Sequence, residues 1–117
     1  MEASHAVSSP LGRIAISSDA VAQIVGHTAA ECYGVVGMYA RGGRVGRLLA
    51  RDRLKQGIAV GGGPEGLRID LNVVVAYGLN LAEVAATVRS RVAYEVERLT
   101  GLPVAAVEVH IQGVRSA

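Results

Sequence analysis

The chain has 117 residues, half of them hydrophobic, and a formal charge of +2. This is the length of one domain; the apolar content excludes wholesale disorder, and the charge is too small to dictate a partner. With no Phe and no Trp, the core must come from Val, Ile, Leu and Ala, a set that suits strands because β-branching costs little there. The single cysteine, Cys32, cannot close an internal disulfide and gives no sign of an oxidising compartment. The N-terminal residues lack the apolar stretch of a signal peptide. No run approaches the roughly 18 uncharged apolar residues of a membrane span. The expected location is therefore the cytoplasm, with any membrane association made through a partner and no direct insertion.

In chain order, residues 1–11 read as a flexible tail, residues 12–114 as the domain and residues 115–117 as a short C-terminal tail. Arg13-Ile14-Ala15-Ile16 is a short strand pattern. Ser17, Ser18 and Asp19 supply capping oxygens and a negative charge for a helix start. Val21, Ile24, Val25, Thr28, Ala29 and Cys32 then recur at helical spacing, and the helix should stop near Gly34. Val35 to Ala40 is extended. Arg41 to Gln56 reads as a short helix with its arginines outward and Leu48, Leu49 and Leu54 as anchors.

Gly57–Val60 and Leu67–Tyr77 are β patterns on either side of Gly61–Gly66, which reads as the loop of a hairpin. Leu67, Ile69, Leu71, Val73, Val75 and Tyr77 share one face of the second strand. Arg68, Asp70 and Asn72 occupy the other face, followed by Val74 and Ala76 as the strand becomes covered on both sides. Asn80, with Glu83 three residues on, opens a second long helix in the manner of a capping box. Its stripe is Leu81, Val84, Ala85, Val88, Val92, Val96 and Leu99, with Arg91 and Glu95 one turn apart on the surface. Gly101 ends the helix and Pro103 forbids its continuation. The last strand alternates, with Val107, Val109 and Ile111 inward and Glu108, His110 and Gln112 outward. The order β-α-β-(α)-β-β-α-β predicts an α+β fold: a two-layer domain, its sheet mainly antiparallel, with the helices on one face.

No pattern of catalytic chemistry emerges. The glycine run Gly61–Gly63 is followed by Pro64-Glu65-Gly66 and a strand, not by the helix start a phosphate loop needs, so it reads as a hairpin tip. His5, His27 and His110 show no metal-ligand spacing with Cys32. Cys32 reads as a small core residue. Glu95 and Glu97 do not share a helix face. No serine has an activating neighbourhood. No catalytic, cofactor or metal residue is therefore assigned. Two surfaces remain. Arg41, Arg44, Arg47, Arg51, Arg53 and Lys55 form a basic segment that could attract the phosphates of nucleic acid or anionic lipid, although Tyr39 is the only aromatic residue nearby for base stacking. The strand Val107, Glu108, Val109, His110, Ile111 and Gln112, if it ends the sheet, offers unpaired backbone groups to a second copy or a partner.

Several stretches together resemble the alkaline shock protein family, also called the envelope stress response proteins of Gram-positive bacteria. They are Gly12–Ser17 leading into a helix, Tyr33-Gly34-Val35-Val36-Gly37-Met38, Gly57–Val60, Val73-Val74-Val75-Ala76-Tyr77-Gly78-Leu79-Asn80-Leu81, Leu99–Val104 and Val107–Val114. The likeness runs from Gly12 to Val114 and departs from the family pattern in the Arg-Gly-rich middle. It implies a small non-enzymatic cytoplasmic protein of envelope homeostasis and alkaline or general stress, without catalytic residues or cofactors. It also implies self-association, or docking to a membrane-embedded partner. The leading expectation is accordingly an interaction protein, probed against two rivals: a small RNA- or DNA-binding module using Arg41–Lys55, and an enzyme whose site is assembled across space.

Overall fold

The computed structural model describes residues 4–39 and 57–116. They form β1 (Ser4–Ser9), β2 (Gly12–Ser17), α1 (Ser18–Glu31), β3 (Val35–Met38), β4 (Ile58–Gly63), β5 (Gly66–Ala76), α2 (Leu81–Thr100) and β6 (Val104–Arg115). The expected helix within Arg41–Gln56 lies outside the described residues.

β5 organises the domain. β3 and β4 pair antiparallel with successive stretches of it, and β6 pairs with it in parallel. The two-layer α+β fold is as expected, with one parallel pairing among antiparallel ones. The parallel pair arises because a whole helix lies between β5 and β6. A parallel neighbour needs a crossover of this kind, whereas a tight turn gives an antiparallel one. Leu67, Ile69, Leu71, Val73 and Val75 point from β5 into one apolar cluster with Val21, Val25 and Ala29 of α1 and Val84, Val88, Val92 and Val96 of α2. The four α2 valines repeat every fourth residue, which holds them on one flank. Full burial of each contributes roughly 1.5–3 kcal/mol against leaving it exposed. α1 covers the β3 and β4 side of the sheet, and α2 the β6 side.

Several local expectations need correction. Ser4–Ser9, read as tail, is a strand paired antiparallel with β2 across a Pro10–Leu11 turn. His5 and Val7 face inward while Ser4, Ala6 and Ser8 face out. That alternation was hard to see because its polar positions are small and its apolar ones few. Gly61–Gly63 is strand, not loop: Gly63 pairs with Gly66, leaving Pro64–Glu65 as the turn. Tyr77 lies beyond the end of β5 and is 77% exposed, so it does not continue the buried row. Leu81 and Leu99, at the two ends of α2, are exposed. Glu95 binds Arg98 at 2.7 Å rather than Arg91.

The first helix ends at Glu31 with an extended Cys32 as its cap, short of Gly34, whereas its start and both ends of α2 fall where the capping chemistry put them. The Ser17 hydroxyl accepts from the Ala20 amide, and the Asn80 side-chain oxygen from the Glu83 amide. Gly101 adopts the left-handed conformation, φ 77°, that ends α2. Gly66, φ 129°, sits where β5 and β6 begin side by side; a side chain there would start 2.6 Å from the Pro103 carbonyl oxygen.

Candidate interaction edge

The terminal strand is delivered by α2. Thr100 holds the helix end through its hydroxyl, which donates to the Val96 carbonyl and accepts from the Leu102 amide. The Glu97 carboxylate accepts from the Val104 amide, and the Pro103 carbonyl from the Leu67 amide. These contacts start β6 beside β5, and the pair stays in register from Leu67 with Val104 to Ala76 with Arg115, interrupted by irregularities after Leu67 and Val73. At the far end the Arg115 carbonyl accepts from the Tyr77 amide, and the Arg115 guanidinium donates to the Val36 carbonyl.

Among the described residues β6 pairs with β5 alone, so one long flank of this strand carries no neighbour. Val107 is buried, while Val109 and Ile111 on the same face are only half-covered. Between that flank and α2 runs a shallow groove of about 400 Å³, lined on the helix side by Ala82, Ala85, Ala86 and Arg89. The alanines keep this side of α2 low over the strand.

Glu108, His110 and Gln112 point away from the helices, as their alternation required. There they meet residues of β5. The His110 Nε2 atom lies 3.5 Å from Asp70 and 3.8 Å from Glu108. Gln112 donates to the Asn72 side-chain oxygen at 2.8 Å, and Asn72 donates in turn to the Gly57 carbonyl. The possible metal-ligand atoms of Asp70, Glu108 and His110 lie within 4.8 Å of one another, but all three residues are exposed on an open strand surface. Asp70 and Asn72 were placed on this face by their alternation, yet their partners depend on a parallel register that no local pattern encodes. Of the alanines of the groove, Ala85 was placed on the apolar stripe of α2, while Ala82 and Ala86 were not singled out.

The other candidates stand apart from this edge. Arg41, Arg44, Arg47, Arg51, Arg53 and Lys55 lie outside the described residues. Cys32 is buried at the end of α1 and its thiol donates to the Thr28 carbonyl at 3.4 Å. Burial raises its pKa, opposed by the positive charge of Arg91. His5 is hydrogen-bonded to the Ser18 hydroxyl at 2.8 Å, and His27 is exposed on α1. On the surface of α2, Arg98 has its pKa raised by its hydrogen bond to Glu95.

A family model for alkaline shock protein 23, described as having a cell envelope-related function, matches residues 6–116. The chain belongs to that family. The chain is 35% identical over 107 residues to an uncharacterised protein, YloU, of Bacillus subtilis, covering 89% of each chain. It is 31% identical over 107 residues to an uncharacterised protein of Streptococcus pyogenes, covering 89% of this chain and 88% of that one. A second Bacillus subtilis relative, the uncharacterised protein YqhY, is 28% identical over 108 residues, 90% of this chain and 78% of its own. No solved structure matches the chain. The family is described by a cellular role and not by a reaction. No described helix is long and apolar enough to cross a membrane.

Proposed function

We propose that this protein is a non-enzymatic, cytoplasmic interaction protein of the cell-envelope stress response, working near the membrane by protein–protein association through the open flank of β6. The envelope-related family supplies the setting. The single observation that carries the mode of action is the twelve-residue terminal strand, one flank of which has no partner among the described residues. An unpaired strand presents a row of backbone donors and acceptors to any incoming strand, and proteins commonly guard such rows with Pro, Lys or inward charges. β6 contains no Pro and no Lys, and its inward positions Val107, Val109 and Ile111 are apolar. Strand addition would satisfy the backbone groups while covering the half-exposed apolar row.

The test compares the parent with Glu108→Lys/Gln112→Lys, which leaves the helix-facing row untouched and places cations along the edge. Self-association by sedimentation velocity, and co-purification with defined envelope proteins, should both fall while the circular dichroism spectrum stays that of the parent. A double variant that associates as the parent does removes the edge from the mechanism.

A further inference from the structure

Resting on that reading, we infer that the occupant of the β6 flank is a second copy of this chain. Its β6 runs antiparallel to the first about a two-fold axis through Val109, so that each Glu108 stands opposite the other copy's His110. The axis follows from geometry. Two identical edges joined antiparallel must be related by a two-fold perpendicular to the sheet, which leaves both helix layers on the same side. Residues that face each other then share a face, since cross-strand neighbours in an antiparallel pair point the same way. Only registers centred on a residue meet this condition, and their side chains distinguish them.

An axis through Glu108 sets the two Glu108 carboxylates against each other, and like charges directly opposite are destabilising. An axis through His110 sets imidazole against imidazole and Glu108 against Gln112. With the axis at Val109, Glu108 meets His110 twice and Ala106 meets Gln112 twice on the open face. On the helix side Val109 meets itself and Val107 meets Ile111, which covers the two half-exposed side chains of the row. The irregularity in the β5–β6 ladder after Val73 falls beyond Ile111, so Val107–Ile111 is unbroken strand. On the same side Ala82, Ala85 and Ala86 leave the flank of α2 low enough for an incoming strand. The opposite side of β5 is less suited to this role. It is divided between β3, four residues long, and β4, six residues long. The glycine end of β4 is approached by β1, with the His5 ring 3.1 Å from where a Gly62 side chain would begin.

Cross-linking reads the register directly. In a Cys32→Ala background, Val109→Cys places two thiols across the axis with Cα atoms about 4.5–5.5 Å apart, within disulfide range. Ile111→Cys places them about 13 Å apart along the strands and should not cross-link. Mixing Val107→Cys with Ile111→Cys should yield the mixed disulfide dimer. Glu108→Lys should weaken the dimer about 2- to 30-fold, from two lost cross-strand pairs, and adding His110→Glu should restore it by setting each Lys opposite a Glu. Circular dichroism confirms that each variant is folded. The inference is overturned if Val109→Cys stays reduced while the parent sediments as a dimer; that result leaves the edge reading standing with another register. It is overturned too if the parent remains a monomer. In that case envelope-protein binding that still depends on Glu108 and Gln112 retains the edge for a different partner, and binding that ignores them ends both.

Discussion

β5 and β6 are parallel neighbours with the same alternation, in register with one another, yet their apolar rows have different fates. Ile69, Leu71 and Val73 of β5 are at most 1% exposed. Their register partners Val107, Val109 and Ile111 are buried only in the first case and half-covered in the others. The helices lie over both strands. What separates them is that, among the described residues, β5 has a strand on each side and β6 has one. The burial of a strand is therefore a property of its position in the sheet as much as of its sequence, and the half-covered row on β6 is what the proposed strand addition would enclose.

The sharpest break of this comparison is a matched truncation. Leu71→Ala should cost about 2–5 kcal/mol in chemical denaturation, because the cavity opens among rigid neighbours. Val109→Ala, its register partner, should cost less than half as much at concentrations where the protein is monomeric. Equal losses would mean that β6 is as enclosed as β5. A smaller effect tests the pinning of the two strands at their common start. Gly66→Ala combines a left-handed backbone with a collision at the Pro103 carbonyl and should cost roughly 1–3 kcal/mol. Amide exchange should quicken first around Leu67 and Val104.

The smallest effect concerns Cys32, which closes the core at the end of α1. Its folded pKa is raised by burial, so the folded state holds the neutral thiol where the unfolded chain ionises. Below the ordinary thiol value neither state differs and stability is unaffected. Above about pH 9 the unfolded state releases the proton more readily, and stability falls with pH. Cys32→Ala should flatten that alkaline fall relative to the parent, measured as the difference between their denaturation midpoints from pH 8 to pH 10. Identical slopes would place the thiol in water.

The parts of the fold that were readable share a short range. Asn80 caps the helix through an amide three residues away, Gly101 and Pro103 end it within one turn, and the alternation from Val107 to Gln112 needs only a strand's own pleat. The family likeness was also carried by such local stretches, and the family match agrees with it. What escaped depends on distance. The partnership of His110 with Asp70 spans forty residues and follows from a parallel register set by the length of α2. The β1 strand escaped because its small serines and Ala6 blur its alternation. Gly61–Gly63 looked like a loop because glycine weakens any strand on its own account; pairing with the strongly apolar β5 overrides that preference. The outward direction of Glu108, His110 and Gln112 was legible, whereas the alanine groove beside them was not, since alanine suits any helix surface.

The parallel placement of β6 also sets an order in time. β5 is complete once Ala76 is made, but the strand that closes its second flank ends at Arg115, roughly forty residues later. At synthesis rates of about 5–20 residues per second, that flank stays without its own partner for about 2–8 seconds on each nascent chain. During this interval β5, whose inward row Leu67, Ile69, Leu71, Val73 and Val75 is wholly apolar, has a vacant side. The window closes only when α2 has folded and brought the last strand alongside. Chains truncated before Val104 should therefore aggregate through β5, and the requirement for a helper during synthesis should track the C-terminal end of the chain, not its N-terminal hairpin.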